Sequence, residues 1–283
     1  MRARLRCLST IILLLGAAIA YAQSASVPRA AAVQRILFVG NSYTYFNNLP
    51  SVLQQFANAS QPGSLETRMV VEGGATLKVL WENGNALKAI QEGDWTYVVL
   101  QEQSTLGPGP DERLIPEISD PETFYAYSRR FDLEIKKAGA KTVFYLTWSR
   151  QDSPQNQAKL TAAYTSVAKE LGGILVPVGP AWERALHNTS EVALYQRDKS
   201  HPTQAGTYLA ACVFYTSLFK RNPSGLPARI LGKPVDMEGR IFEAESHGLL
   251  SSPSTAELIN LRKNDAGFLQ AVAWRITLAG EFE

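Results

Sequence analysis

Apolar residues in this chain gather into short continuous runs separated by longer stretches of helical periodicity. The runs are residues 35–39, 67–71, 97–101, 142–147 and 174–178. They are too short for helices and continuous rather than alternating, which predicts strands buried on both faces of a parallel sheet. Helices are expected between them. One covers 49–59, with Asn48 as cap and Pro50 in its first turn. A second covers 77–90 and is weakened by Asn83-Gly84-Asn85. Others cover 124–138, closed by Gly139, then 156–171, then 202–219. Five strands alternating with helices imply an α/β fold: a three-layer α/β/α sandwich around a five-stranded parallel sheet, flavodoxin-like in its right-handed crossovers. From Asn222 onward Pro223, Gly225, Pro227 and Pro234 interrupt the pattern. Two further helices are expected there, at about 255–263 and 266–278, with Phe268, Leu269, Val272 and Trp274 turned toward the core.

The first residues stand outside this pattern. Arg2, Arg4 and Arg6 precede an apolar stretch over 11–20, and Ala20-Tyr21-Ala22 is a small-x-small cleavage site. This predicts a secretory signal peptide over 1–22, and hence a secreted or periplasmic protein with no membrane span after cleavage. A retained N-terminal anchor is the alternative. The expected organisation is then a catalytic domain over 33–220 and a C-terminal extension over 221–283 packing on it.

Charge narrows the partners. Lys and Arg total 28 against 26 Asp and Glu, a net charge of +2, which leaves no basic field for nucleic acid. Cys7 lies in the expected signal, so Cys212 is the single cysteine of the mature chain and cannot form an internal disulfide. It lies in an apolar run and reads as a buried thiol. Three histidines (His187, His201 and His247) and no cysteine cluster argue against a zinc site.

Chemistry enters at the strand ends, where ligands bind in open α/β sheets. Ser42 follows Gly40-Asn41 directly after the first run, and an ordinary turn or capping serine is its bland reading. Asp198-Lys199-Ser200-His201-Pro202 places a carboxylate three residues before an imidazole at the head of the 202–219 helix. Serine, histidine and aspartate together supply a nucleophile, a general base and a group that fixes the base's tautomer. Oxyanion donors are expected from the Ser42 N–H, from an N–H of Gly73 or Gly74, and from a side-chain amide, Gln101 or Gln103. Trp148 and Arg150 follow the fourth run. Trp148 either offers a sugar platform or covers the rim of the core, and Arg150 is placed to bond ligand oxygens. Asn41 and Gln103 join them as candidate substrate contacts.

These motifs resemble the SGNH (GDSL-like) hydrolase superfamily. Residues 36–44, Ile-Leu-Phe-Val-Gly-Asn-Ser-Tyr-Thr, are similar to its nucleophile block. Gly73-Gly74 stands at its second-block glycine, and Asp198-x-x-His201-Pro202 with Gly206 is similar to its Asp-x-x-His block. Two departures stand out. Asn41 replaces the usual aspartate, and Gln101-Glu102-Gln103 replaces Gly-x-Asn-Asp, so that Gln101 would supply the amide as in the superfamily's carbohydrate acetylesterase branches. The resemblance spans residues 36 to about 219. It implies a serine esterase with no metal or organic cofactor, acting on small acyl esters, O-acetyl groups on carbohydrate above all. The rivals are a lipase, lysophospholipase or thioesterase on the same triad, and a non-catalytic glycan-binding protein on the same fold.

Overall fold

A computed structural model describes residues 33–107, 118–119, 121–188, 191–236, 239–240 and 255–279. The expected signal peptide lies outside them. Five parallel strands form the central sheet: β1 (Gln34–Gly40), β2 (Leu65–Val71), β3 (Tyr97–Leu100), β4 (Lys141–Leu146) and β5 (Ile174–Pro177). Their spatial order is β2-β1-β3-β4-β5. The runs in the inner strands β1, β3 and β4 are thus buried on both faces, as their pattern predicts, while the edge strand β2 is mostly half-buried. Alternate residues divide between two cores. Ile36, Phe38, Val99, Val143 and Tyr145 face one side, and Leu37, Val39, Val98, Leu100 and Phe144 face the other. All are fully buried, and each such side chain stabilises the fold by about 1.5–3 kcal/mol.

Nine helices are described. A short α1 (Ser42–Tyr45) leads through a tight 3-10 turn into α2 (Leu49–Ser60). The expected 77–90 helix is two, α3 (Leu77–Glu82) and α4 (Asn85–Glu92), broken at Gly84, whose φ of 75° places it in the left-handed region. Then come α5 (Glu122–Lys137), α6 (Asn156–Leu171), α7 (Val178–Asn188), α8 (Gln204–Phe219) and α9 (Lys263–Ala279). Helices α2, α7, α8 and α9 cover one face of the sheet, and α3 to α6 cover the other.

The helix over 202–219 starts two residues later than expected. Pro202 is bridged to Tyr195, and Thr203 is the cap, accepting from the Gly206 N–H at 3.2 Å. Residues 205–218 are all buried. A helix apolar all round needs cover on both sides. The sheet gives one, and α9 gives the other through Leu269, Val272, Ala273 and Ile276.

The expected helix at 255–263 is instead a strand. β6 (Arg229–Gly232) and β7 (Ala256–Asn260) pair antiparallel. Gln204 at the head of α8 binds this ribbon through the Glu257 carbonyl (3.1 Å) and the Asn260 N–H (3.0 Å). Pairing with a distant segment has overridden local propensity.

The chain runs from β1 outward to β2 and then returns past β1 to β3. The strand order reverses between β1 and β3, so their carboxyl ends frame a crevice.

Candidate active site

Ser42 sits at the mouth of that crevice as the first residue of α1. Asn41 caps the helix, its Oδ1 accepting from the Tyr43 N–H at 3.1 Å. The same oxygen accepts from Gln101 Nε2 (2.9 Å), and Asn41 Nδ2 donates to the Ala75 carbonyl (2.9 Å). A neutral asparagine therefore ties together the chain beyond β1, β2 and β3. Asn41 also lines the cleft, with its oxygen and one of its two Nδ2 hydrogens bonded to the protein.

The base stands opposite. His201 Nε2 is 2.8 Å from Ser42 Oγ, and His201 Nδ1 is 2.6 Å from Asp198 Oδ2. Asp198 Oδ1 accepts from the backbone N–H groups of Ser200 and His201, both at 3.0 Å. Burial pushes the Asp198 carboxyl up, but the His201 ring and these two N–H groups outweigh it and hold the carboxyl below its usual range. Asp198 thus stays ionised and fixes the ring with Nε2 toward the serine.

Several contacts hold the histidine loop. Trp148 Nε1 donates to the Ser200 carbonyl (3.0 Å), and the Tyr43 and Ser200 hydroxyls are 2.7 Å apart. Asn47 Nδ2 reaches Thr207 Oγ1 (2.9 Å) and the Pro202 carbonyl (3.3 Å). Asn47 and Asn48 are both left-handed, with φ of 52° and 50°, a conformation asparagine tolerates better than most residues. That kink turns the chain from Ser42 back toward the histidine. Phe46 stacks on the His201 ring at 4.2 Å between centroids, and Tyr43 meets it edge-on at 5.9 Å. These two rings hold the imidazole plane in place. Tyr43, Phe46, Asn47 and Ser200 were not singled out from the sequence, although the run Tyr43-Thr44-Tyr45-Phe46 beside the serine was a usable signal.

Two expectations about the cleft are corrected. Gln101 is fully buried and turned away from it. Its Oε1 accepts from the Asn41 N–H and the Thr44 hydroxyl, both at 2.9 Å. Its Nε2 gives one hydrogen to Asn41 Oδ1 and the other to the Glu102 carbonyl at 2.6 Å. No donor remains for a ligand. Trp148 is likewise buried, 1% exposed, in a stack between Tyr43 (4.5 Å) and Trp182 (3.9 Å). It cannot offer a sugar platform.

Gln103 is the other candidate amide. It lines the same cleft as Ser42, Gly73 and Gly74. Its Oε1 accepts from the Thr105 N–H and hydroxyl, both at 2.6 Å. A backbone N–H can only meet the amide oxygen, so Nε2 is left pointing elsewhere, and it donates to nothing among the described residues. Glu102 holds this loop. One of its oxygens accepts from the Gln103 N–H (2.6 Å), the other from the Leu77 N–H (3.1 Å). Burial pushes its carboxyl up to about 7, against the downward pull of those two bonds.

The cleft is about 350 Å³ and is also lined by Tyr45, Ser104 and Arg150. A larger groove, about 920 Å³ between α6, α7 and α9, contains none of these groups. Size does not mark the chemistry here. The smaller cleft has a hydroxyl aligned with a base, and Gly73, Gly74 and Gln103, the expected sources of oxyanion donors, are among the residues that line it. Among the described residues, no helix is long and apolar enough to cross a membrane.

No protein-family profile and no curated protein matches the sequence. Solved structures do. A candidate SGNH hydrolase from Slackia heliotrinireducens is similar over 66% of this chain and 100% of its own, at 26% identity and a TM-score of 0.53. A DUF4886 family protein from Bacteroides uniformis matches over 88% of this chain and 96% of its own, at 16% identity and a TM-score of 0.58. An acetyl xylan esterase from Geobacillus stearothermophilus matches over 66% of this chain and 95% of its own, at 16% identity and a TM-score of 0.53.

Proposed function

We propose that this chain, similar in fold to a candidate SGNH hydrolase and to an acetyl xylan esterase, is an exported serine esterase that removes small acyl groups, O-acetyl above all, from carbohydrate. The observation that carries this reading is the continuous line from Asp198 through His201 to Ser42, at 2.6 and 2.8 Å, opening on a cleft that Gly73, Gly74 and Gln103 also line.

Ser42 Oγ attacks the ester carbonyl as His201 Nε2 takes its proton. Asp198 stabilises the imidazolium. Negative charge on the former carbonyl oxygen meets the Ser42 N–H, an N–H of Gly73 or Gly74, and Gln103 Nε2. Collapse expels the alcohol, which His201 protonates, and leaves an acyl-serine. Water then gives a proton to His201 and attacks the acyl carbon. The acid departs, and Ser42 recovers its proton from His201.

A cleft of about 350 Å³ suits an acetyl group better than a long chain, which needs an extended apolar channel. The acetyl xylan esterase among the structural likenesses fits the same substrate class. Export rests on the basic and apolar N-terminal segment and its small-x-small site.

The test is hydrolysis of 4-nitrophenyl acetate and of acetylated xylo-oligosaccharides by wild type and Ser42→Ala. The expected result is turnover of both that falls by at least about 10³-fold in the variant. Equal rates in the two proteins would sink the proposal, and activity confined to long acyl chains would replace the acetylesterase with a lipase.

A further inference from the structure

Arg150 lines the same cleft as Ser42 and His201, and none of the residues lining it is an aspartate or glutamate. Its Nε is buried and has no hydrogen-bond partner. Elsewhere Arg35, Arg129, Arg229 and Arg262 each pair with a carboxylate, in places where water would also serve them. Arg150 makes no ion pair among the described residues. A buried, unmatched donor on a permanently charged group is costly, and it marks a place where the protein alone does not complete the bonding.

The turn that carries Arg150 is fixed. The Gln151 N–H donates to the Lys199 carbonyl at 2.9 Å, and the Ser153 N–H donates to the Arg150 carbonyl at 3.0 Å. The first of these bonds joins the arginine turn to the histidine loop. The charge also reaches the Tyr43 phenol, which it pulls down against a larger upward push from burial. The turn thus fixes the Arg150 backbone against the histidine loop, and its side chain lines the cleft beside Ser42 and His201.

We propose that Arg150 forms a carboxylate subsite, so that the preferred ester carries a negative charge a few bonds from its scissile carbonyl. The proposal rests on the esterase reading and gives it a substrate class. A planar guanidinium matches a carboxylate with two parallel N–H bonds. Neutral hydroxyls would satisfy Nε but leave the charge unbalanced. The carboxylate has two sources: the alcohol side, as in an acetylated uronic acid, or the acyl side, as in the half-ester of a dicarboxylic acid.

Two substrate pairs separate them. One is a methyl O-acetyl-glucuronoside against its neutral methyl ester. The other is 4-nitrophenyl hemisuccinate against its neutral methyl ester. The readout is the ratio of kcat/KM, anionic over neutral, within each pair. Wild type should show a ratio of roughly ten to a hundred in one pair, and that pair names the source. Arg150→Gln should bring the ratio to about one, and Arg150→Lys, which keeps charge without the fork, should fall between. Ratios near one in both pairs for wild type, or an unchanged ratio in Arg150→Gln, would overturn the subsite.

Turnover of 4-nitrophenyl acetate that depends on Ser42 tests the esterase reading separately. Should that reading fail, calorimetric titration of glucuronate and of succinate into Ser42→Ala decides the subsite alone. Binding that is lost when Arg150→Gln is added supports it, and no binding of either acid rejects it.

Discussion

Gln103→Ala and Gln101→Ala should fail in different ways. Gln103 presents an uncommitted Nε2 at the cleft, held by its Oε1 bonds to Thr105. Truncating it removes one oxyanion donor, worth about 3 kcal/mol of transition-state stabilisation, or roughly a hundredfold in kcat. Thr105 is 1% exposed, so losing Gln103 Oε1 also strands its N–H and hydroxyl, and a smaller stability loss of about 1–3 kcal/mol should accompany the fall in kcat. Gln101→Ala removes four buried hydrogen bonds at once. It strands the Asn41 N–H, the Thr44 hydroxyl and the Glu102 carbonyl, and leaves Asn41 Oδ1 with only its bond from the Tyr43 N–H. Each unsatisfied buried group costs about 1–3 kcal/mol. Even with water entering the gap, a loss of about 3 kcal/mol or more in unfolding free energy is expected. The assays are kcat on 4-nitrophenyl acetate and urea unfolding followed by circular dichroism. Two results would refute the reasoning: Gln103→Ala within threefold of wild type in kcat, or Gln101→Ala with an unmoved urea midpoint and a hundredfold loss of kcat.

Three other outcomes follow from the geometry. Asp198→Asn removes the group that fixes the His201 tautomer and should lower kcat by about 10³–10⁴-fold with KM little changed; a drop under tenfold would mean the ring is held by Phe46 and the loop alone. Trp148→Phe strands the Ser200 carbonyl and opens the stack between Tyr43 and Trp182, which should cost about 1–3 kcal/mol in stability together with a fall in kcat; a variant unchanged in both measurements contradicts this. Glu102, raised to about 7, keeps its proton in the folded chain while the unfolded chain loses it near pH 4.5, so stability falls as pH rises between those values. The fall from this group is about 3 kcal/mol at most, and the difference in urea midpoint between wild type and Glu102→Gln, measured from pH 5 to 7.5, should vary accordingly; a flat difference rejects it.

The parallel sheet was legible because its signal is local and strong. Runs such as Tyr97-Val98-Val99-Leu100 have no polar face, so only a strand covered on both sides can hold them. The β6–β7 ribbon was not legible. Residues 256–260 carry no period that favours a strand over a helix turn, and what makes them a strand is pairing with 229–232, some 27 residues away in sequence. The alignment of Asp198, His201 and Ser42 could be read because the three residues lie at strand and helix ends that the fold brings together. Phe46 and Asn47, which shape the pocket around His201, act through a left-handed turn that the sequence signals only by two asparagines in succession.

The exchange of Gln101 for Gln103 has a single physical cause, and it was within reach. After Leu100 the chain leaves the strand, and with it the alternation that would assign each side chain to a face. Gln101 still donates its backbone N–H to the Val39 carbonyl at 2.9 Å, so it remains paired to β1. Its amide then lies directly under Gly40. A Cβ at Gly40 would stand 2.5 Å from Gln101 Oε1 and 2.7 Å from Thr44 Oγ1. The glycine two residues before the nucleophile is therefore not there for its backbone freedom, since its φ is not positive. It is there because a neighbouring amide occupies the space its side chain would take. Gln101 is the residue in register to fill that vacancy, since Val39 pairs with Leu100, and this commits its amide to the protein and leaves Gln103 as the candidate amide at the cleft. Gly40→Ala tests this directly. It should displace Gln101 and destabilise the chain by about 1–3 kcal/mol, and it should lower kcat through the shift of Asn41 and Ser42. A variant with wild-type stability and kcat would show that the contact between strand ends does not set the position of the serine.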